Sequence, residues 1–257
     1  MKKLRNTILL FSFFSLLSIL LMSCGGLNVA TTSLVVPDFD FSPPSPAAPG
    51  SAEIKIGLID PVYSGNFSFP NSSLFIQFRK NMGKDFEEIL TARGYILKGP
   101  YESYDLMTYS DKKESELGLD IEIDLNVHQT SGGWTHVPLK SYQYFSTGNY
   151  STYEGTLNLS GKITISIIET FTRQKLLVKS VPVPQENISV KAEAEFKFGT
   201  TGLPIDDPGV HNPLTKSLSS FYKTTMQRGW DMLAKEELEH LKSQVPEIRE
   251  KSGFIKR

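Results

Sequence analysis

Residues 54–97 carry the most informative pattern of the chain: IKIGLIDPV (54–62) is followed by SLFIQFRKNMGKDFEEILTARGYIL (73–97). The first run is short and apolar and ends near Asp60-Pro61, which is typical of a buried strand. The second run repeats apolar residues at helical spacing up to Gly94, which predicts a helix over 73–93. A new strand starts at Tyr95. This strand–helix–strand order predicts two parallel strands joined by a crossover.

Further segments predict the rest of a sheet. Apolar residues alternate with polar ones over 121–127, which indicates a strand with one buried face. Residues 156–169 and 174–183 are separated by a short polar turn over 170–173, and this pattern predicts a hairpin. Residues 190–198 alternate again and predict another strand.

The end of the chain predicts a second long helix. Asn212-Pro213 supplies an N-cap and a proline at the first helical position, and an apolar stripe follows. We expect the helix over 213–244, with a loose basic tail over 246–257. The sequence therefore predicts a single α+β domain over 53–245, with a mixed sheet of about five to seven strands and two long helices packed on one face.

The composition excludes several classes of site. Cys24 is the only cysteine in 257 residues, which rules out an intrachain disulfide, a Cys-rich zinc site, an iron–sulfur cluster and a CxxC redox centre. The four histidines show no ligand spacing, and we predict neither a metal site nor a cofactor. Lys and Arg number 27 against 28 Asp and Glu, so the chain lacks the basic excess of a nucleic-acid-binding protein.

The first 24 residues predict export and lipidation. Positive residues precede a short apolar run over 8–22, which is typical of a secretory signal peptide over 1–23. Leu21-Met22-Ser23-Cys24 resembles a bacterial lipobox, so we expect cleavage between Ser23 and Cys24 and a lipid anchor on Cys24. The alternative is an ordinary signal peptide with a coincidental cysteine. Gly25 does not match the enteric signal for inner-membrane retention, which favours the outer membrane.

A proline-rich segment follows the predicted anchor. Residues 24–52 hold five prolines with small residues between them, which predicts a flexible tether that reaches roughly 30 Å. Loss of the signal peptide removes three basic residues, so the mature chain has 24 Lys and Arg against 28 Asp and Glu. The mature domain is therefore mildly acidic.

Acidic residues and catalytic motifs give weak signals. Asp120, Glu122 and Asp124 share one strand face with His128 in phase, which allows a cation site, although a solvated strand face explains the same alternation. Asp206-Asp207-Pro208-Gly209 lacks the spacing of an EF-hand and is interpreted as a turn. The chain has no G-x-S-x-G elbow, P-loop or G-x-G-x-x-G segment, so we do not predict an enzyme.

An aromatic-rich stretch over 134–153 holds the candidate ligand-binding residues. Aromatic rings pack on the C–H faces of sugars, and tyrosine adds a hydroxyl, so this composition allows a glycan platform. The alternative is aromatic packing within sheet and loops, which is the more common reason for such a pattern. The candidates are Trp134, Tyr142, Tyr144, Phe145 and Tyr150.

Several segments of the chain match the pattern of a known family. They are Ile56 to Val62, Thr91-Ala92-Arg93-Gly94-Tyr95, Phe145-Ser146-Thr147-Gly148, Glu154-Gly155, Gly161 to Ile165 and Thr201-Gly202-Leu203. Together they resemble the Helicobacter neuraminyllactose-binding haemagglutinin family, also called adhesin A or flagellar sheath lipoprotein. The resemblance covers most of the mature domain and includes the long C-terminal helix. It implies a lipoprotein of the outer membrane or cell surface with a proposed role in binding sialylated host glycans.

One region of the chain differs from the family that it resembles. The family's proposed binding centres on a Lys-Arg-Thr segment, but the corresponding region here, HQTSGGWTHVPLK (128–140), lacks that tripeptide. The resemblance therefore transfers no sialic-acid-binding residue and implies a divergent paralogue. We expect an adhesin-like protein that is held to the membrane by its lipid and binds a host glycan. The alternative is a periplasm-facing structural or assembly lipoprotein whose long helix binds an envelope protein.

Overall fold

The computed structural model describes residues 33–138, 149–194 and 202–253. A 3-10 helix (Tyr104–Leu106) lies between the third strand and the second α-helix. The strands are β1 (Lys55–Ile59), β2 (Val62–Tyr63), β3 (Ile96–Tyr101), β4 (Leu117–Pro138), β5 (Asn149–Glu169) and β6 (Lys175–Ala194). The helices are α1 (Ser73–Ala92), α2 (Tyr109–Glu114), α3 (Pro208–Met232) and α4 (Lys235–Lys251).

The six strands form one mixed sheet in the order β3-β1-β4-β5-β6, with β2 paired to β4. Strand β1 runs parallel to β3 and β4, whereas β4, β5 and β6 are antiparallel neighbours. Since α1 connects β1 and β2 to β3, the predicted crossover is confirmed. The hairpin between β5 and β6 is confirmed as well, with Glu169 N donating to Gln174 O across the turn. The predicted α+β class with a mixed sheet is therefore correct.

The core lies between the sheet and the long helices. Ile121, Ile123 and Leu125 of β4 are at most 3% exposed, which confirms the predicted buried face. Helix α3 approaches both α1 and the sheet at Gly229, where a Cβ atom would meet Phe86 Cε1 at 2.7 Å. Only glycine allows α3 to approach α1 this closely. The two long helices α1 and α3 pack side by side on one face of the sheet, as predicted.

The boundaries at the C-terminal end differ from the prediction. Asp207 caps α3 by accepting a hydrogen bond from Gly209 N at 2.8 Å, so the helix begins five residues before the predicted Pro213. The chain then bends after Met232, and a separate helix follows. Arg93 Nη2 donates to Trp230 O at 2.5 Å and Tyr95 Oη donates to Leu233 O at 2.8 Å. These bonds satisfy carbonyls at the end of α3 and stabilise the bend.

The predicted loose tail over 246–257 is wrong for its first half. Helix α4 continues through Pro246 to Lys251, and Arg249 is only 6% exposed. Proline inside a helix costs about 3 kcal/mol, so the helix persists here because its far end is held by tertiary contacts. The main contact joins Arg249 Nε to Glu169 Oε1 at 2.7 Å. Residues 254–257 lie outside the described residues.

The predicted flexible tether is also wrong for its second half. Residues 34–52, here called the N-terminal strap, belong to the same compact unit as the sheet, and Phe39 is only 2% exposed. Ala47 N donates to Ala92 O at 2.6 Å, and Ala52 N donates to Gly94 O at 3.0 Å. Gly94 has φ +80° and passes so close to the strap that a side chain would collide with it. The domain therefore starts near residue 34, not at 53.

Residues 1–32 lie outside the described residues. The predicted signal peptide over 1–23, the cleavage between Ser23 and Cys24 and the lipidation of Cys24 therefore stay predictions. Within the described part of the chain, no helix is both long and apolar enough to cross a membrane.

Candidate functional site

A groove of about 720 Å³ opens beside Trp134 of β4. Two loops complete it, 68–72 before α1 and 202–208 before α3. We call it the Trp134 groove. Its volume falls within the range of small-molecule sites, about 300–1,000 Å³. Because both loops lead directly into the buried helices, the walls of the groove are held by the core.

The Trp134 ring is fixed in place by its neighbours. The indole Nε1 donates to Gly202 O at 2.9 Å, which ties β4 to the loop before α3. Tyr153 meets the ring edge-to-face at 5.4 Å, and its hydroxyl donates to Gln129 Oε1 at 2.9 Å. The His136 ring lies parallel to the indole at 6.5 Å. Trp134 therefore packs against its neighbours and also lines the groove, so the packing interpretation is confirmed, while glycan binding by this residue stays a prediction.

Polar groups converge on the same groove. Asp206 Oδ1 accepts hydrogen bonds from Ser73 N at 3.2 Å and Ser73 Oγ at 2.9 Å. Asp207, the cap of α3, forms part of the same wall. Ser72 also lines the groove, but its Oγ is itself buried from solvent and has no hydrogen-bond partner among the described residues. An unpaired buried hydroxyl costs free energy unless a ligand or water satisfies it.

The electrostatics of the groove select against anions. Its lining holds two carboxylates, Asp206 and Asp207, and no lysine or arginine among the described residues. A sialate carboxylate normally requires an arginine fork or clustered cations. The groove instead offers an aromatic ring, carboxylate oxygens and hydroxyls, and these groups suit a neutral ligand rich in hydroxyls.

The other predicted aromatic residues are only partly covered by the structure. Tyr142, Tyr144 and Phe145 lie outside the described residues. For Tyr150 the structure describes the backbone, which pairs with Val137 across β4 and β5. Trp134 is thus the one predicted ligand-binding residue whose side chain can be placed, and its role in binding stays a prediction.

The acidic row on β4 shows separate environments rather than a shared site. Asp120 lies 3.9 Å from Arg173 Nη2, and Asp124 Oδ1 accepts from Ser64 Oγ at 3.2 Å. Across 33–138, 149–194 and 202–253, no cluster of three or more His, Cys, Asp or Glu side chains is placed to hold a metal ion.

Sequence reasoning missed the acidic wall and Ser72. The turn predicted at Asp206-Asp207-Pro208-Gly209 is present, with Asp207 N donating to Pro204 O at 3.0 Å. In addition, Asp207 and Pro208 form a helix cap followed by proline at the first helical position. The same signal was assigned five residues later, at Asn212-Pro213. The pattern of an N-cap residue followed by proline therefore also identifies Asp207 and Pro208 as a helix start. Nothing in the local sequence indicates that the loop holding Ser72 lines the same groove as Trp134, because the two lie far apart along the chain.

Two buried carboxylates lie outside this groove, and the first is Asp85 of α1. Asp85 is 1% exposed and accepts one hydrogen bond from the described residues, from Tyr222 Oη of α3 at 2.8 Å. Burial, together with the carboxylates of Asp40 and Glu88, raises the pKa of Asp85 to about 6, although the hydrogen bond from Tyr222 opposes the shift. The Phe39 ring of the N-terminal strap lies 5.3 Å from the Tyr222 ring and covers this seam.

The second buried carboxylate is Glu169 at the β5–β6 turn. Burial by itself raises its pKa, but hydrogen bonds from Thr172, Arg249 and Phe171 outweigh burial and lower the pKa below its usual value. Thr172 N donates to Oε2 at 2.7 Å, and Arg249 Nε donates to Oε1 at 2.7 Å. Arg249 Nη2 also donates to Thr170 Oγ1 at 2.9 Å and to Lys112 O at 3.1 Å. The network ties α4 to the hairpin turn and α2.

Comparison with known proteins identifies the fold but no sequence family. No protein-family profile matches this chain, and no curated protein sequence is similar to it. In fold, the chain is similar to a neuraminyllactose-binding hemagglutinin homolog from Helicobacter pylori, with a TM-score of 0.56 at 13% identity. The alignment covers 80% of this chain and 98% of that one. The family resemblance expected from the sequence is therefore supported at the level of the fold.

Two further solved structures align at lower scores. A protein from Xanthomonas campestris aligns with a TM-score of 0.37 at 10% identity, covering 81% of this chain and 98% of that one. A lipoprotein from Neisseria meningitidis aligns with a TM-score of 0.27 at 12% identity, covering 68% and 99%. These scores are too low to establish a shared fold.

Proposed function

We propose that this chain is a lipid-anchored, adhesin-like binding protein of the bacterial outer membrane, and that it binds a neutral glycan in the Trp134 groove. The observation that carries the proposal is the groove itself, where a fixed indole faces carboxylate and hydroxyl groups. The similarity in fold to the Helicobacter hemagglutinin homolog supports a binding role. The proposal assigns no catalytic step to the chain.

The chemistry of the groove defines the class of glycan. An indole ring packs on the C–H face of a sugar, while Asp206 accepts hydrogen bonds from sugar hydroxyls. A sialylated sugar would instead place its carboxylate beside Asp206 and Asp207, which repel it.

The test is a glycan array probed with the purified full-length mature chain. We expect neutral, galactose- or glucose-type glycans to bind in preference to their sialylated counterparts. Trp134→Ala should abolish binding.

Tyr109→Ala is the matched control, because Tyr109 is an aromatic residue on α2 that is 71% exposed and does not line the groove. It should bind as the unmodified chain does. A preference for sialylated glycans, or binding that survives Trp134→Ala in a folded protein, would show that the groove is not the glycan site. The absence of any glycan binding would reject the adhesin-like function.

The membrane location requires its own experiments. Radioactive palmitate should label the unmodified chain in cells, and Cys24→Ser should abolish both the label and the recovery of the protein in the membrane fraction. Protease added to intact cells should cleave the domain when it faces the host. A domain that is protected in intact cells and cleaved after outer-membrane permeabilisation would favour the periplasm-facing alternative.

A further inference from the structure

A second groove, of about 790 Å³, runs between strand β6 and helix α3. We call it the β6–α3 groove. Five apolar residues of its lining are between 1% and 6% exposed, so the groove has a closed apolar floor rather than an opening into the core. These floor residues are Leu159, Val181, Val183, Ile188 and Phe221.

Strand β6 is the last strand in the described part of the sheet, so one of its edges has no neighbouring strand among the described residues. Pro182 and Pro184 lie on this strand, are exposed and line the groove. Proline has no backbone N–H, and prolines on an edge strand prevent a further strand from pairing there. An occupant of the groove therefore has to be recognised through side chains, not through extension of the sheet at these residues.

The helix side of the groove is polar. Ser217, Ser220 and Thr224 follow one another at spacings of three and four residues, which places their hydroxyls on one face of α3. Hydroxyl groups both donate and accept hydrogen bonds, so this wall can bind the N–H and C=O groups of an extended backbone. A wall of this kind fits a peptide better than it fits an acyl chain, which offers no hydrogen-bonding groups.

Two cations mark the length of the groove. Lys216 and Arg228 are exposed lining residues of α3, and neither forms an ion pair with the described residues. Twelve residues of helix separate them by about 18 Å. Glu186 is the one carboxylate among the described residues of the lining. The groove is thus positive, although the chain as a whole has more acidic than basic residues.

We propose that the β6–α3 groove docks an extended acidic segment of a protein partner, with alternate apolar side chains on the floor and carboxylates near Lys216 and Arg228. An extended chain rises about 3.3 Å per residue, so five or six residues span the distance between the two cations. This site does not depend on the Trp134 groove, because the two grooves share no lining residue.

The test uses a display library of random dodecamer peptides panned against the full-length mature chain. We expect the enriched peptides to combine Asp or Glu with apolar residues at alternate positions. The affinity of the best peptide, measured by fluorescence polarisation, should fall about tenfold or more in Lys216→Glu/Arg228→Glu, because like charges then face each other. Raising the salt concentration from 50 to 500 mM should weaken the same peptide.

The matched control is Lys80→Glu/Lys162→Glu, which changes the net charge equally at exposed lysines outside the groove. The control should retain the affinity of the unmodified chain. The proposal is overturned when panning enriches no acidic sequences, or when both double variants lose affinity equally. Two further outcomes overturn the proposal, both with peptide binding unchanged in Lys216→Glu/Arg228→Glu. In the first, this variant no longer binds anionic vesicles, which would assign the groove to a lipid surface. In the second, it no longer self-associates in ultracentrifugation, which would assign the groove to a second copy of the chain.

Discussion

The two ends of the folded domain each cover a buried carboxylate, but they do so in opposite ways. The N-terminal strap lies over Asp85, which has one hydroxyl donor and a pKa raised to about 6. The end of α4 lies over Glu169, which has several donors, a guanidinium among them, and a lowered pKa. Burial alone does not decide the charge of such a group; the number and charge of its donors decide it.

The contrast extends to how firmly each end is held. The strap contributes the Phe39 ring, a bond from Asn81 Nδ2 to Phe39 O at 2.8 Å and an exposed ion pair between Asp38 and Lys223 at 2.6 Å. The α4 end contributes a buried ion pair with further hydrogen bonds from the same guanidinium. We therefore expect the strap to detach from the domain more easily than α4 does.

The largest effect is expected from Arg249→Leu. This change leaves the Glu169 carboxylate buried without its cation, which typically costs about 3–5 kcal/mol of unfolding free energy. Urea denaturation followed by circular dichroism measures the loss. Glu169→Gln in the Arg249→Leu background should restore part of the stability, because the neutral amide needs no counter-charge.

Lys251→Leu is the control for that experiment. Lys251 lies two residues away on the same helix, but its ion pair with Glu247 is exposed, so the denaturation midpoint should not move. An Arg249→Leu protein as stable as this control would contradict the proposed role of the α4 end.

The second effect is expected from Phe39→Ala in the strap. Removing a buried phenylalanine ring usually costs about 3–5 kcal/mol, and we expect about 2–4 kcal/mol here because the strap can relax. Limited proteolysis should cut within 34–52 before any other part of the variant. Val36→Ala, at a residue that is 85% exposed, should leave both the stability and the cleavage pattern unchanged.

The third effect concerns pH. Between about pH 4 and 6 the folded state holds a proton on Asp85 that the unfolded state has lost, so stability falls as the pH rises through this window. We expect the unfolding free energy to be about 1–2 kcal/mol higher at pH 5 than at pH 7.5 on account of this group. Asp85→Asn should remove this dependence in urea denaturation at the two pH values.

Glu169 provides the internal contrast for the pH experiment. Because the pKa of Glu169 is lowered, its contribution to the unfolding free energy is lost only at acid pH, below the window in which Asp85 titrates. An Asp85→Asn protein that keeps the full difference between pH 5 and 7.5 would show that Asp85 is not the titrating group.

The smallest effect is expected from Lys223→Ala. The Asp38–Lys223 pair is more than half exposed on both sides, so its removal should cost less than about 1 kcal/mol. A double-mutant cycle with Asp38→Ala measures the pair directly, and 0.5 M salt should reduce the coupling further. If the coupling energy of Asp38 and Lys223 is as large as the loss of unfolding free energy in Arg249→Leu, the strap is held as firmly as the α4 end, and the proposed difference between the two ends is wrong.

The sequence predicts the elements whose signals are local. The spacing from Phe75 to Leu90 predicts α1, and the alternation from Ile121 to Val127 predicts the buried face of β4. The errors occur where distant contacts override local preference. The prolines of the strap suggest a free coil, yet Phe39 finds a pocket between α1 and α3. Pro246 suggests a helix end, yet Arg249 binds Glu169 from 80 residues away.

The candidate groove shows the same limit. Trp134 is recognisable as an unusual aromatic residue, but its neighbours Ser72 and Asp206 come from loops that are 62 and 72 residues away in sequence. Only the folded sheet brings them together. The polarity of the groove, and with it the choice between neutral and anionic ligands, could therefore not be predicted from the stretch that holds Trp134.

The position of the strap also determines how the domain responds to mechanical force. If Cys24 anchors the chain as proposed, drag on the domain reaches the fold first at residue 34. The strap contacts are then loaded one after another: Val35 with Asn212, Asp38 with Lys223, and then Phe39. Serial loading separates contacts at lower force than simultaneous loading. Release of the strap would lengthen the connection to the anchor by about 60 Å, while the sheet and α4 stay folded.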